Sequence, residues 1–108
     1  LAFVPLPVTP TYNATKAAIH SWTQSLRKQL EDTPMQVIEL VPPAVQTKLM
    51  NQEDSAAAMP LEDYLAEAWK LLEEKPDADE VLVERVKFLR NAEAEGRYDD
   101  VLGVLSAH

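Results

Sequence analysis

A chain of 108 residues with 46% hydrophobic and 26% charged side chains is sized for one domain with an adequate but not large core. Its net charge of −8 argues against nonspecific nucleic-acid binding, because neutralising phosphates needs a basic patch. It has no cysteine, which removes disulfide and thiolate chemistry, and no apolar run reaches the roughly 18 residues of a membrane span. A cytoplasmic protein with no leader and no membrane contact is the expectation.

In chain order, Leu1–Val4 reads as a short apolar strand stopped by Pro5, Pro7 and Pro10. Pro10 suits the first position of a helix, with Thr9 as its N-cap. The helix should run to about Glu31, where Asp32-Thr33-Pro34 ends it. Tyr12 and Lys16 stand four residues apart in its first turns, so they share one face. A phenol has an ordinary pKa of about 10. A neighbouring ammonium favours the phenolate and brings such a group toward general acid/base work. His20 lies one turn further on and reads as a solvated surface histidine, since nothing at ligand spacing supports a metal site. The opposite side carries Ala14, Ala17, Ala18, Ser21, Trp22, Ser25 and Leu26, and the small residues around the one Trp let another helix or a sheet approach closely.

Met35–Val41 is a run of mostly apolar, partly β-branched residues expected to form a strand buried on both faces. With Leu1–Val4 and the helix it would make a βαβ unit. Pro42-Pro43-Ala44-Val45-Gln46-Thr47 follows as a loop, and Lys48–Met59 as a polar, then alanine-rich connection. Pro60–Lys75 is a strong helix, with Leu61, Tyr64, Leu65, Ala68, Leu71 and Leu72 at i, i+3, i+4 spacing. Val81–Val83 is a last short strand or a helix start. Val86 to about Glu95 is helical with Gly96 closing it, and Tyr98, Val101, Leu102 and Leu105 give a final amphipathic segment. Glu73-Glu74, Asp79-Glu80 and Asp99-Asp100 read as solvated acidic faces rather than metal ligands.

The segment from Leu1 to Ala18 resembles the active-site stretch of the short-chain dehydrogenases/reductases. Ala2 and Pro7 stand at the family's distances before Tyr12, and Ala14, Lys16, Ala17 and Ala18 match after it. Thr15 replaces the usual Ser. Pro42 and Thr47 match the family's Pro-Gly-x-x-x-Thr loop, with Pro43 in place of Gly. The resemblance implies an α/β fold of partial Rossmann-like type, its C-terminal half only, with short parallel strands and a dominant helical component. It reads as a single incomplete domain, strand–helix–strand over 1–50 and helical over 51–108. The family's catalytic Ser falls just ahead of Leu1.

The implied activity is NAD(P)-dependent exchange between a small-molecule carbonyl and its alcohol. Tyr12 would be the general acid/base and Lys16 its partner and a contact to the nicotinamide ribose. Pro42, Val45 and Thr47 would border the nicotinamide, and Lys48–Met59 would cover the substrate. NAD or NADP is the implied cofactor. The chain's two glycines, Gly96 and Gly103, cannot build the glycine turn that receives a pyrophosphate, so binding by these residues alone is not expected, nor is activity in isolation. The alternative is a non-enzymatic interaction remnant that keeps the family's association helices. Unpaired strand edges and the helix carrying Trp22 point to a homo-oligomer or to pairing with a complementary segment.

Overall fold

The computed structural model describes residues 1–107. Its regular elements are α1 (Pro10–Gln29), β1 (Glu39–Val41), α2 (Leu61–Glu74), β2 (Glu80–Leu82), α3 (Lys87–Arg90) and α4 (Tyr98–Ser106), with 3-10 turns at Leu49–Asn51 and Glu84–Val86. They fall into two compact units. One joins Leu1–Val37 to the segment from Lys87 onward, and the other is Ile38–Val86.

In the first unit, Leu1–Val4 is not a strand. The chain bends at Phe3 and Val4, because Pro5 and Pro7 offer no amide to a ladder. Val4 is instead fully buried with Ala92 and Val101, flanked by Leu89, Tyr98, Leu102 and Leu105. Gly96 takes φ +74° at the end of the turn after α3, a conformation glycine adopts without a Cβ penalty. The Arg97 amide there donates to the Ala92 carbonyl at 2.7 Å, folding α4 back onto that core. Arg27 and Lys28 lie in the last turn of α1, where the helix dipole favours cations. The Arg27 side chain also donates from Nε to the Val37 carbonyl at 3.2 Å.

In the second unit, β1 and β2 pair in parallel, with Glu39 opposite Glu80, Leu40 opposite Val81 and Val41 opposite Leu82. The βαβ unit of this chain is therefore β1–α2–β2, formed later in the sequence than the apolar runs imply. The strand expected over Met35–Val41 is confined to its last three residues. Met35 and Leu40 are 65% and 54% exposed, and Val41 is buried, so β1 is not covered on both faces. Tyr64 and Ala68 of α2 are buried, as are Val81, Val83, Val86, Ala58 and Met59. Glu67 accepts from the amide of Glu84 at 2.6 Å, satisfying an N-terminal donor of the turn that follows β2.

The Tyr64 hydroxyl is buried without a hydrogen-bond partner among the described residues, and burial pushes this phenol above its ordinary value of 10. Tyr64→Phe should therefore stabilise the chain by about 1 kcal/mol, seen as a higher urea midpoint. A phenol with a raised folded-state pKa contributes stability that is lost as pH climbs through 10 toward the folded value. The advantage of the Phe variant should accordingly widen above pH 10. A less stable variant would mean that the hydroxyl is bonded in solution.

Candidate functional site

Two pieces of the chain carry the residues singled out by sequence, one in each unit. The first is the opening of α1. Pro10 is its first residue and Thr9 its N-cap, but the Thr9 side chain does not cap. Its hydroxyl lies 3.1 Å from Asn13 Oδ1 and 3.3 Å from the Leu6 carbonyl. With one proton to give, we assign the donation to Asn13 as the shorter contact. Asn13 Nδ2 donates to the Leu6 carbonyl at 2.6 Å, and the Thr9 amide donates to the same oxygen at 3.0 Å. Asn13 is buried, and this polar knot ties the proline-rich loop to the first turn of α1. Sequence reasoning missed it. The available signal was a Thr and an Asn four residues apart at a helix start, a spacing that lets their side chains meet.

Tyr12 and Lys16 come together on the helix as the spacing requires. Lys16 Nζ lies 5.1 Å from the centroid of the Tyr12 ring, within cation–π range. Tyr12 is half-buried and Lys16 exposed, so the ring is held while the ammonium faces solvent. Thr15 donates from Oγ1 to the Tyr12 carbonyl at 2.7 Å, a local bond that Ser could equally make. His20 is not a solvated surface histidine. It is half-buried, with its ring 4.7 Å from that of Phe3 in an edge-on arrangement. The guanidinium of Arg90 stands 4.3 Å from the same Phe3 ring.

The second piece is the loop after β1. Val45 forms an isolated parallel bridge with Met59. The Met59 amide donates to the Ala44 carbonyl and the Gln46 amide donates to the Met59 carbonyl, each at 2.8 Å. In that pattern the bonds run to the neighbours of Val45, so its own N–H and C=O face the opposite edge. Gln46 Nε2 donates to the Ser55 carbonyl at 2.9 Å, and Asn51 adopts φ 56°. The connection Lys48–Met59 is thus a closed loop pinned at its base. Thr47 is half-buried and lines an open groove of about 610 Å³ with Gln46, Lys48, Glu53 and the first turn of α2. Pro42 is exposed and Pro43 half-buried.

In the second piece, the outward edge of Val45 pairs a backbone donor with an acceptor, and Thr47 presents a hydroxyl. In the first, Lys16 presents an ammonium with three donors. Among the described residues, no group of three or more His, Asp or Glu side chains could hold a metal ion. No helix among them is long and apolar enough to cross a membrane.

The short chain dehydrogenase family model matches residues 1–58, which include both pieces, and the chain belongs to that family. Among its relatives, DltE of Bacillus subtilis strain 168, named as an uncharacterized oxidoreductase, is 41% identical over 95 residues, covering 85% of this chain and 38% of DltE. The uncharacterized oxidoreductase SERP2049 of Staphylococcus epidermidis (strain ATCC 35984) is 40% identical over 60 residues, covering 56% of this chain and 26% of the relative. The chain therefore spans well under half the length of these relatives. No solved structure matches it.

Proposed function

We propose that the whole protein carrying these residues is an oxidoreductase that interconverts a small-molecule carbonyl and the corresponding alcohol. In this reading the 108 residues supply the proton-transfer pair and the nicotinamide end of the cofactor site within a larger domain, and that domain assembles into homo-oligomers. The observation that carries it is Lys16 stacked over the Tyr12 ring on a helix within the family match. A bound nicotinamide supplies the hydride. Tyr12 Oη gives its proton to the substrate oxygen in reduction and takes it back in oxidation. The Lys16 ammonium offsets negative charge developing on that oxygen and bonds the ribose.

The outward-facing N–H and C=O of Val45 would hold the carboxamide, with Pro42 fixing the approach of the loop and the Thr47 hydroxyl adding a bond. The choice of NAD or NADP is not encoded in these contacts, which all lie at the end the two cofactors share. Thr47→Val in the whole protein tests the assignment. Losing one hydrogen bond of about 1 kcal/mol should raise the KM for the reduced cofactor by about fivefold to tenfold with kcat little changed. An unchanged KM would remove Thr47 from the cofactor site.

A further inference from the structure

We propose that Asn13 is a positioning residue for the proton transfer. It holds the first turn of α1, and with it the Tyr12 phenol, in the geometry that the reaction needs. The inference rests on the reading of Tyr12 as the general acid/base. Tyr12 is the third residue of α1, in the turn where a helix is weakest. The first bond of the helical ladder runs from the Asn13 amide to the Thr9 carbonyl at 3.0 Å, so the Thr11 and Tyr12 amides come before it. Neither usual device secures this turn. The Thr9 side chain makes no cap, and no acidic residue in the first turn meets the positive end of the dipole. Pro10 presets one φ but contributes no donor.

What holds the turn is the side chain one position after Tyr12. Asn13 is 5% exposed, and a buried amide is costly unless its polar atoms are bonded. Its Nδ2 donates to the Leu6 carbonyl at 2.6 Å, and its Oδ1 accepts from Thr9 Oγ1 at 3.1 Å. The first of these reaches from the helix back into the loop before it, so the turn cannot fray without breaking a buried bond. The Leu6 carbonyl also accepts the Thr9 amide at 3.0 Å, which fills both of its lone pairs. That carbonyl fixes which way round the Asn13 amide lies, since the reverse would set oxygen against oxygen. Lys16 lies one turn deeper, where the ladder bonds are in place. Its 5.1 Å approach to the Tyr12 ring therefore depends on the first turn being closed, whereas its own position does not.

Steady-state kinetics on the whole protein test this. Asn13→Ala should lower kcat by about tenfold, since a small displacement of a reacting group is costly in rate. The cofactor KM should stay within about twofold, because Lys16 keeps its place. In a Tyr12→Phe background, assayed at high enzyme concentration, Asn13→Ala should cost nothing further, because it acts only through the phenol. Thr23→Val is the control. Thr23 is buried in the same helix and donates to the Ile19 carbonyl at 2.8 Å, so this variant should melt earlier with kcat unchanged. Should Asn13→Ala fail to fold, Thr9→Val removes only the Oγ1 bond to Asn13. It should lower kcat about threefold, and not at all beside Tyr12→Phe. An unchanged kcat in the folded variant, Asn13→Ala or Thr9→Val, would overturn the proposal. So would a loss that persists undiminished beside Tyr12→Phe, which is what a purely structural role gives. Full turnover by Tyr12→Phe alone would instead overturn the parent reading, and the role of Asn13 with it.

Discussion

Tyr12→Phe should abolish nearly all turnover of the whole protein while leaving its fold intact. The substitution removes the one transferable proton and keeps the ring. A Phe ring still lies under the Lys16 ammonium, which stands 5.1 Å from its centroid, so the cation–π contact survives. The Asn13–Leu6–Thr9 knot that opens the helix does not involve the phenol. Loss of activity with unchanged thermal stability is therefore the signature of lost chemistry. General acid/base groups contribute about 10² to 10⁴-fold, so kcat should fall by that order with cofactor KM preserved. Lys16→Met should also be severe and should affect cofactor binding as well. Because the two residues act as a unit, the double variant should be little worse than Tyr12→Phe alone. A Tyr12→Phe enzyme retaining a tenth or more of wild-type turnover on a panel of small carbonyls would remove Tyr12 from the reaction.

The parts of this structure legible in sequence are those fixed by local rules. The start of α1 follows from a proline whose φ is already helical, and α2 from the spacing of Tyr64, Ala68, Leu71 and Leu72 on one side. The Tyr12–Lys16 pair follows from helix geometry alone. What failed depends on partners distant in sequence. An apolar run such as Leu1–Val4 becomes a strand only if a neighbour offers a ladder. Here Val4 finds Ala92 and Val101 instead, and β1 pairs with β2, which lies about forty residues on. The Asn13 knot and the Val45–Met59 bridge were likewise hidden, since each rests on a backbone carbonyl that sequence does not display. Leu61 and Leu65 illustrate the same limit in reverse. Both stand at the i, i+4 spacing of the apolar stripe on α2, yet they are 42% and 55% exposed.

Titration of this chain with NADH or NADPH should give no measurable heat of binding, even though we propose Lys16, Val45 and Thr47 as contacts of the nicotinamide end. Dinucleotide affinity rests heavily on the pyrophosphate, which is held by free amides at a helix N-terminus approached closely over glycines. Each of the longer helices here is unfit for that task. At α1 the first residue is Pro10, which has no amide proton to offer. At α2 the first turn carries Glu62 and Asp63 behind Pro60, and at α4 it carries Asp99 and Asp100, so carboxylates already occupy the positive end of each dipole. Gly96 comes shortly before α4, but it follows a helical turn rather than a strand, so it does not reproduce the strand–glycine–helix arrangement. A chain of net charge −8 adds long-range repulsion of a polyanion. The remaining contacts are a few hydrogen bonds and one exposed lysine, too few to offset the loss of rigid-body freedom on association. Saturable binding at micromolar concentration, weakened by Lys16→Met, would show that this chain holds a dinucleotide without a glycine turn.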